Sequence, residues 1–438
     1  MPQIQPRTLK GFRDFLPELE ITRQKMIETI KVSFETFGFE PLETPALEYA
    51  EILTGKYGDE GDKLMYRFRD NGDRDVALRY DLTIPLARVV AQYENDLKKP
   101  FKRYQVSPVW RAENTQKGRF REFYQCDADI VGSNSPLADA EVLALSANTL
   151  CKLGLETDNF IVRVNSREII SAFYDSLKLS PEQKQVAIRM VDKIDKIGRA
   201  GVEEELAKNK VSVTDIKIIL NFAETKIDTK EFKSEEIGSA KKTFPVVKEE
   251  LNKLAEIVNK ALILAPKAKF VIDFSIARGL DYYTGMIFEI NLVKAPQYGS
   301  VLGGGRYDNL VGTFANKPVP AVGASIGLDR LITALEELKL IKKEKTTAEA
   351  LIVNFDESLT DDYLKLATEL RNAGINTILY FESADLKKQL GYASDKGIKF
   401  AVMYGPNEAK EGIVIVKNLE NGTQEKVSLK EVVKYFKK

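Results

Sequence analysis

Apolar and polar positions in the N-terminal part of the chain follow two different spacings. From Glu20 to Phe37 the apolar residues recur mostly at three- and four-residue intervals, and Gly38 comes directly after them. This spacing is typical of an amphipathic helix, and glycine is common just beyond a helix C-terminus. From Phe39 to Pro45 the spacing is that of an extended chain, and the closing proline favours the edge of a sheet. The pattern predicts a helix over residues 20–37 followed by an edge strand.

Short β-like runs follow, with two helical stretches among them. The pattern predicts strands at Leu64–Phe68, Val76–Tyr80, Lys102–Trp110, Arg121–Ile130, Phe270–Phe274 and Met286–Ile290, a helix at Leu82–Ala91, and a turn and helix over Ala321–Leu335. Runs of strands with short connections are typical of antiparallel sheets. We expect an α+β core dominated by antiparallel strands.

The composition changes twice beyond this first body. Residues 171–265 are rich in Lys, Glu, Asp and Ile in helix-like pieces, which predicts a helical insertion. After the charged residues 342–345, strands alternate with helices, which predicts a separate C-terminal α/β domain. The strands are expected at Ala350–Phe355, Asn376–Phe381, Lys399–Tyr404 and Gly412–Lys417, and the helices at Asp361–Asn372 and Asp385–Ser394. The predicted domains are therefore 1–170 with 266–337, 171–265, and 346–438.

Overall composition restricts the chemistry more than it restricts the partners. The 438 residues include 65 Lys plus Arg, 65 Asp plus Glu, two cysteines and no histidine. Without histidine there is no Ser-His-Asp triad and no histidine base, and two cysteines cannot complete a structural zinc site. The chemistry must rest on carboxylates, guanidinium groups, amines, hydroxyls, amides and Mg²⁺. The scarcity of cysteine fits a reducing compartment, so we expect a cytoplasmic protein, and no apolar run reaches the length of a membrane span.

One stretch is strongly basic in this otherwise neutral chain. Between Lys98 and Arg121 there are eight basic residues and one acidic residue. A predicted strand ends in Arg111-Ala112-Glu113, a glycine-containing loop follows, and a second strand returns. Because guanidinium groups donate paired hydrogen bonds to phosphate oxygens, this hairpin could cradle a nucleotide. The alternative is a solvated basic hairpin.

Three further motifs combine glycine with polar side chains. They are Arg278-Gly279-Leu280-Asp281-Tyr282-Tyr283, Gly303-Gly304-Gly305-Arg306-Tyr307-Asp308, and Pro320–Arg330 with its many small residues. Glycines let a backbone approach a ligand closely, and Arg330 near a helix start suits a polyphosphate. The alternatives are a turn with a packed tyrosine, a flexible turn, and an ordinary strand–helix junction. Asp81, Thr83 and Asp129 could likewise be helix caps or surface groups.

Taken together, these motifs resemble the class II aminoacyl-tRNA synthetases. Gly38-Phe39-Glu40-Pro41 with Pro45 resembles motif 1, Arg111-Ala112-Glu113 with its return strand resembles motif 2, and Gly327-Leu328-Asp329-Arg330 resembles motif 3. Within that class, Arg278 to Tyr283 and Tyr124-Gln125-Cys126-Asp127-Ala128-Asp129 are similar to signatures of the histidyl-tRNA synthetase family. The resemblance covers nearly the whole chain.

The resemblance implies a fold, an activity and a set of site residues. It implies a class II antiparallel-sheet catalytic core with a helical insertion, followed by a C-terminal α/β anticodon-binding domain. It also implies ATP-dependent activation of L-histidine to histidyl-adenylate, with Mg²⁺, and transfer to the 3′ end of histidine tRNA. By motif match the catalytic residues are Arg111 and Arg278. The ATP-binding residues are Arg111, Glu113, Phe123, Arg278 and Arg330. The histidine-binding residues are Asp81, Thr83, Gln125, Asp129, Tyr282 and Tyr283.

The resemblance also implies macromolecular partners. The C-terminal domain would bind the anticodon of histidine tRNA, the insertion would hold the acceptor arm, and Arg119 is a candidate contact for the acceptor end. A homodimer would be built on the region Glu20–Pro45. The motifs assign no metal ligands.

Three alternatives remain open at the level of the sequence. One is the regulatory relative of the synthetase that partners ATP phosphoribosyltransferase, although it usually lacks the anticodon domain and has eroded ATP motifs. A second is a class II synthetase for threonine, proline or glycine, against which the Arg278–Tyr283 signature argues. The third is an RNA-sensing domain without enzymatic activity, which would not need a complete set of adenylation residues.

Overall fold

The structure is a computed structural model that describes residues 4–56, 58–228, 234–277, 282–315, 317–354, 356–382 and 384–437. The chain divides into two compact units. The first comprises Met1–Arg13 and Met26–Ile341, and the second comprises Asp14–Lys25 and Lys342–Lys438.

The first unit contains most of the strands. They are β1 (Glu40–Pro41), β2 (Leu47–Tyr49), β3 (Arg67–Arg69), β4 (Asp75–Leu78), β5 (Phe101–Trp110), β6 (Glu122–Val131), β7 (Phe160–Ser166), β8 (Lys226–Asp228), β9 (Phe270–Asp273), β10 (Met286–Leu292), β11 (Ser300–Arg306) and β12 (Ala321–Gly327).

Helices alternate with these strands along the chain, and the first of them, α1, has residues in both units. They are α1 (Pro17–Thr36), α2 (Ala50–Leu53), α3 (Gly58–Lys63), α4 (Thr83–Gln92), α5 (Pro136–Lys152), α6 (Arg167–Asp175), α7 (Pro181–Val191), α8 (Ile194–Lys208), α9 (Val213–Ala223), α10 (Ser234–Thr243), α11 (Lys248–Leu264) and α12 (Leu328–Glu337).

The central layer of the first unit is a nine-stranded sheet in the order β1-β5-β6-β12-β11-β10-β7-β9-β8. In this order, every pair of neighbouring strands between β5 and β7 is antiparallel, and so is the pair β8–β9. Two pairs are parallel, β1 with β5 and β7 with β9. The prediction of an α+β core dominated by antiparallel strands is confirmed. A separate antiparallel sheet has the order β2-β4-β3.

The N-terminal helix and edge strand are also confirmed. Helix α1 ends at Thr36, and Gly38 adopts a φ of +76° while its amide donates to the Glu35 carbonyl at 2.9 Å. Glycine reaches this left-handed conformation without strain, which explains why the helix stops there. Strand β1 then forms the border of the sheet beside β5.

The triple glycine is strand rather than flexible turn. Gly303, Gly304 and Gly305 lie inside β11 and pair with β10 and β12. A Cβ atom on Gly304 would lie 2.1 Å from the carbonyl oxygen of Gly323, so no side chain fits between these strands. The same small-residue packing makes Ala321–Gly327 a strand, which corrects the prediction of a turn there; the helix begins at Leu328. Glycine reads as a turn former in a sequence, but here it permits close strand packing.

The stretch predicted to be helical contains α7 to α11, together with one element that the composition did not reveal. Strand β8 lies in this stretch and pairs with β9 at the border of the large sheet. An aromatic cluster packs the helices against the sheet: the rings of Phe173 and Phe222 stack at 3.6 Å, and Phe222 also stacks on Phe274 at 4.7 Å. These aromatic contacts join α6 and α9 to the end of β9.

The second unit has its own mixed sheet. Its strands are β13 (Ala350–Ile352), β14 (Thr377–Leu379), β15 (Phe400–Met403), β16 (Ile413–Asn418) and β17 (Gln424–Ser428), and its helices are α13 (Thr360–Asn372), α14 (Leu386–Lys396), α15 (Pro406–Glu411) and α16 (Val432–Phe436). The order is β14-β13-β15-β16-β17, with the first three strands parallel. The predicted alternation of strands and helices is confirmed, with β17, α15 and α16 in addition. Within the described ranges of the chain, no helix is both long enough and apolar enough to cross a bilayer.

Candidate functional site

Strand β6 positions three polar side chains on one face of the large sheet. Gln125, Asp127 and Asp129 occupy alternate positions, and alternate residues of a strand point to the same side. The strand is held on both edges: Asp129, for example, pairs with Arg103 on β5 and with Gly323 on β12. Each of the three β6 side chains is buried. The sheet thus fixes a row of two carboxylates and an amide.

A small cavity of about 40 Å³ lies over this row. Its wall combines carboxylates with phenols, and it is lined among others by Asp81, Asp127, Asp129, Tyr282, Tyr283 and Tyr307. Thr83 and Gln125 also face it. Hydrogen-bond acceptors and phenolic donors in a confined space suit a small ligand that carries both N–H groups and an acceptor nitrogen.

Asp129 is held by a charge and by a phenol. A guanidinium nitrogen of Arg103 lies 2.8 Å from its carboxylate, and the side chain of Arg103 has no exposed surface. The hydroxyl of Tyr307 donates to the other carboxylate oxygen. Burial raises the pKa of Asp129 above its ordinary value, while Arg103 and the hydrogen bond from Tyr307 act in the opposite direction. The ion pair therefore keeps an otherwise unfavourable buried carboxylate in place.

Asp81 serves both as a helix cap and as a wall of the small cavity. Its Oδ1 accepts hydrogen bonds from the backbone amides of Thr83 and Ile84, each at 3.1 Å, at the start of α4. Its Oδ2 lies 3.4 Å from the hydroxyl of Tyr282. The cap that was the alternative to a binding role is thus present, and it orients the carboxylate that faces the cavity.

Gly323 is required by the packing beneath the small cavity. A Cβ atom at this position would lie 1.8 Å from Oδ1 of Asp129. The β12 backbone can therefore approach the carboxylate only because no side chain is present. The small residues of Pro320–Arg330 consequently shape the cavity as well as the strand–helix junction.

A second cavity of about 300 Å³ adjoins the small one, and we call it the large cavity because it is larger than that neighbour. It is lined among others by Arg111, Glu113, Phe123, Glu289, Val301 and Arg330. Gln125, Tyr283 and Ser325 line both cavities, so the two spaces meet at these side chains. Cationic, acidic and aromatic groups face one space, which suits a ligand with phosphates and a flat ring.

Arg111 is oriented by its neighbours at the junction of β5 and the following loop. Its Nε donates to the carbonyl of Tyr80 at 3.0 Å. The guanidinium carbon lies 4.3 Å from the ring centroid of Tyr80 and 5.2 Å from that of Phe123. Because the Nε bond and the two aromatic rings restrict the guanidinium, its free N–H groups are preorganised toward the large cavity.

Two residues of motif 3 anchor the opposite wall. Arg330 donates to the carbonyl of Ser300 at 2.6 Å and lines the large cavity. The adjacent Asp329 is buried; it accepts from the backbone amide of Tyr124 at 2.7 Å and forms an ion pair with Arg13. Asp329 therefore ties the start of α12 to β6 and to the N-terminal segment, a link that the motifs did not reveal.

The loop between β5 and β6 is fastened at its tip. Glu337 of α12 accepts hydrogen bonds from Lys117 and, at 2.7 Å, from the hydroxyl of Tyr298. Arg119 lies 3.9 Å from Glu113 and lines a further cavity of about 590 Å³ beside Asp195 at the start of α8. This side cavity connects the loop with the helical stretch.

The structure brings together every predicted site residue that it describes. Asp81, Thr83, Gln125, Asp129, Tyr282 and Tyr283 line the small cavity, Arg111, Glu113, Phe123 and Arg330 line the large one, and Arg119 lines the large cavity and the side cavity. Arg278, with Gly279 to Asp281, lies outside the described residues, so its predicted role stays a prediction.

Sequence reasoning assigned no role to several charged or phenolic residues of the site. Among them are Asp127, Glu289 and Tyr307, which line the two cavities, and Arg103, which pairs with Asp129 behind the wall of the small cavity. Asp127 carried a usable signal, because it alternates with Gln125 and Asp129 on one strand. Tyr307 stands in the triple-glycine motif, to whose side chains the sequence assigned no role. Arg103 and Glu289 carried no signal of their own, because their placement depends on strand register.

The described residues offer no ready metal centre. No group of three or more acidic or thiol side chains among them is arranged to hold an ion. Glu113 and Glu289 line the large cavity singly. One or two carboxylates together with phosphates are the usual setting of Mg²⁺, so these residues fit an ion that arrives with a nucleotide.

Comparison with known proteins assigns the chain to a family. The family model described as histidyl-tRNA synthetase matches residues 11–331, and the model described as anticodon binding domain matches residues 349–438. Among curated proteins, the Histidine--tRNA ligase of Rhodopirellula baltica is 44% identical over 95% of this chain and 94% of its own length. That of Clostridium tetani is 42% identical over 99% and 98%.

A solved structure gives the same assignment. The crystal structure of histidyl-tRNA synthetase from Nostoc sp. PCC 7120 matches with a TM-score of 0.88 and 34% identity, covering 99% of both chains. The fold, the two adjoining cavities and these relatives agree with one another. The chain belongs to the histidyl-tRNA synthetase family.

Proposed function

We propose that the small cavity binds the imidazole and the α-amino group of L-histidine and that the large cavity binds ATP. The overall reaction is that of the family, the ATP-dependent joining of L-histidine to histidine tRNA. The observation that carries the division of roles is the junction of the two cavities at Gln125, Tyr283 and Ser325. A ligand in the small cavity would extend its carboxylate through this junction toward a nucleotide.

Recognition of the imidazole rests on Asp129 and the neighbouring phenols. A neutral imidazole has one donor nitrogen and one acceptor nitrogen, and a carboxylate with a phenol satisfies both. Asp129 is already fixed by Arg103 and Tyr307, so little freedom is lost when the ring binds. A side chain of equal size without these nitrogens would leave the buried acid and phenol without partners.

The α-ammonium group of histidine is assigned to Asp81, Thr83 and Gln125. The carboxylate of Asp81 and the amide of Gln125 both line the small cavity. The side-chain nitrogen of Gln125 donates to Ser325 at 2.7 Å, which leaves its oxygen as an acceptor for the ammonium group. These acceptors lie next to the junction of the two cavities, as the reaction requires.

Formation of the adenylate depends on positioning and charge. The carboxylate of histidine attacks the α-phosphorus of ATP and pyrophosphate leaves; the carboxylate is already ionised at neutral pH, so no strong base is needed. Arg111 would bind the α-phosphate as negative charge develops, together with Arg278 by motif match. Phe123 and Glu113 would face the adenine and Arg330 the distal phosphates. Mg²⁺ would supply further neutralisation of the phosphates when it is bound, and Glu113 and Glu289 are carboxylates of the large cavity that could hold it.

Transfer to tRNA involves three further parts of the chain. The 3′-terminal hydroxyl attacks the adenylate, and a phosphate oxygen of the adenylate takes its proton. We assign the acceptor end to Arg119 and the side cavity, and the acceptor arm to residues 171–265. The anticodon is assigned to residues 346–438, where Phe381 has 88% of its surface exposed and can stack on a base.

Assembly and location complete the proposal. We infer a homodimer formed through Glu20–Pro45, because β1 within this region is the border strand of the large sheet and pairs on one side with β5. We also infer that the protein works in the cytoplasm, where histidine tRNA is charged for protein synthesis, with residues 1–170 and 266–337 as its catalytic domain.

The decisive experiment is amino-acid-dependent exchange between ATP and pyrophosphate. It is run with each of the twenty amino acids on the full chain, and repeated with Arg278→Ala. Exchange with histidine alone, lost in Arg278→Ala, supports the assignment of both cavities and of Arg278. Exchange with another amino acid would overturn the assignment of the small cavity, and no exchange from folded protein with Mg²⁺ would overturn the reaction.

A further inference from the structure

Asp127 is a buried acid that the proposed reaction does not use. Its side chain is 1% exposed and lines the small cavity between Gln125 and Asp129 on β6. Strands on both sides hold it, since it pairs with Gln105 of β5 and Ser325 of β12. The two neighbouring strands therefore fix this carboxylate in the wall of the small cavity.

One oxygen of this carboxylate accepts no hydrogen bond from the described residues. Oδ1 of Asp127 is fully buried and without a donor, whereas Ser325 interacts with the carboxyl group as a hydrogen-bond donor. A buried acceptor without a donor is costly, and such atoms in folded proteins usually have a partner that is absent or a functional role. A ligand in the small cavity is the available partner for Oδ1.

The charge balance of the small cavity identifies the chemistry of that partner. Asp81, Asp127 and Asp129 all line it, and the part of the lining that the structure describes contains no lysine or arginine. Arg103 lies behind the wall and is paired with Asp129. Among the described residues, none supplies a cation that pairs with Asp127. A ligand that brings a positive charge would complete the balance, whereas a neutral or anionic group would not.

The protonation of Asp127 in the empty cavity agrees with this balance. Burial raises the pKa of Asp127 to about 7; Asp129 and Asp81 raise it too, while Arg103 and the hydrogen bond from Ser325 lower it. The neighbouring Tyr283 is a neutral phenol whose pKa is raised by burial and by these acids. Asp127 can therefore hold a proton while the cavity is empty and release it when a cation enters.

We propose that Asp127 accepts a hydrogen bond, through Oδ1, from the α-ammonium group of bound histidine. It lies between Gln125, next to the junction with the large cavity, and Asp129, which faces the imidazole. Asp127 then joins Asp81, Thr83 and Gln125 among the acceptors around the three N–H donors of the ammonium group. The inference rests on the proposed function, because it presumes that the small cavity binds histidine.

The test compares ligands that do and do not carry the ammonium group. Binding to the full chain and to Asp127→Asn is measured by calorimetry with L-histidinol, which has the ammonium group and the ring, and with 3-(imidazol-4-yl)propionate, which has the ring alone. Asp127→Asn should weaken L-histidinol binding roughly tenfold or more, as expected for a hydrogen bond between charged groups, and leave the propionate within about twofold. An equal loss for both ligands, or no loss for L-histidinol, would overturn the inference.

The absence of histidine from the chain supplies a second readout. Ring nitrogens of ¹⁵N-labelled L-histidinol are the only imidazole signals in the sample. These signals should be the same when the ligand is bound to the wild-type chain and to Asp127→Asn, because the lost contact is at the ammonium group. A changed ring tautomer in Asp127→Asn would place Asp127 at the imidazole and overturn the assignment.

Two measurements keep the outcome decisive. If Asp127→Asn does not fold, the same ligand comparison is made with Asp127→Ser, which also removes the carboxylate; an equal loss for both ligands, or no loss for L-histidinol, would again overturn the proposal. If the wild-type chain binds neither L-histidine nor L-histidinol, the assignment of the small cavity fails. If the wild-type chain binds L-histidinol and Asp127→Asn binds it equally well, the inference about Asp127 fails while the assignment of the small cavity stands.

Discussion

Arg103 and Asp129 form an ion pair of 2.8 Å between adjacent strands of the large sheet, with 0% and 4% of their side chains exposed. One guanidinium nitrogen of Arg103 also donates to the carbonyl of Leu82 at 3.1 Å, whereas the other two have no hydrogen-bond partner among the described residues. Such a pair fixes the position of an acid that water would otherwise have to solvate. The small cavity depends on it.

Removing Arg103 alone should lower the free energy of unfolding more than removing the charges of both Arg103 and Asp129. We expect Arg103→Met to lower the free energy of unfolding by about 3–5 kcal/mol, because it leaves Asp129 buried without a cation. The double variant Arg103→Met/Asp129→Asn should recover part of that loss. Urea unfolding of the two single variants and the double variant gives the coupling energy. Independent, additive effects would contradict the ion pair as described.

Because of Asp127, the stability of the protein should fall as the pH of the solution rises toward 7. Its pKa is raised from an ordinary 3.8 to about 7, so between these values the folded chain binds a proton that the unfolded chain has already lost. Stability therefore decreases with rising pH across that window, by up to ~4 kcal/mol. Asp127→Asn should lose less stability than the wild-type chain between pH 5 and pH 7.5. Parallel pH curves from urea unfolding would contradict the raised pKa.

Gly323→Ala should damage the small cavity. A methyl group there would lie 1.8 Å from the Asp129 carboxylate, so the strand or the acid must shift. We expect the KM for histidine in the exchange reaction to rise at least tenfold while the KM for ATP changes little. Gly391→Ala is the matched control, since it lies on α14 with open space around the added atom and alanine favours helix. A normal KM for histidine in Gly323→Ala would refute the close approach of β12.

Arg111→Lys tests geometry apart from charge. Lysine keeps the positive charge but loses the fixed fork of donors and its stacking between Tyr80 and Phe123. We expect kcat for exchange to fall about 10²–10³-fold, the size seen when one oriented donor of a transition state is removed. Arg67→Ala removes an exposed arginine paired with Asp75 and should leave kcat unchanged. Full activity in Arg111→Lys would show that charge alone suffices.

Phe381→Ala should separate tRNA charging from histidine activation. The exposed ring is expected to stack on a base of the anticodon, so its loss should weaken tRNA binding by about 1–3 kcal/mol. The exchange reaction, which needs no tRNA, should be unaffected. Leu364→Ala, an exposed apolar residue on α13, controls for loss of surface area. Equal effects of the two variants on charging would remove Phe381 from the interface.

The sequence was informative where a motif is continuous along the chain. Asp81, Gln125, Asp129 and Arg111 stand in recognisable runs, and the structure brings them to two adjoining cavities. Helix α1 and strands β5 and β6 were predicted within a few residues, because their periodicity extends over ten residues or more.

The sequence was uninformative where a contact depends on strand register. Nothing local shows that Arg103 faces Asp129 or that Gly304 lies against Gly323, since each contact needs two strands to pair in one alignment. Strand β8 was missed because three residues are too few to show a period. Glycine was ambiguous for a physical reason, since the same residue permits a turn and a close approach of strands.

The pairing of β6 with β12 has a consequence for the order of synthesis. Gln125 and Ser325 are hydrogen-bonded although they lie 200 positions apart in the chain. A growing chain that has reached only the helices of residues 171–265 carries the acids of the small cavity without the strand that packs beneath them. Because Gly323, Ala324 and Ser325 line the small cavity, its wall is complete only after β12 has been synthesised.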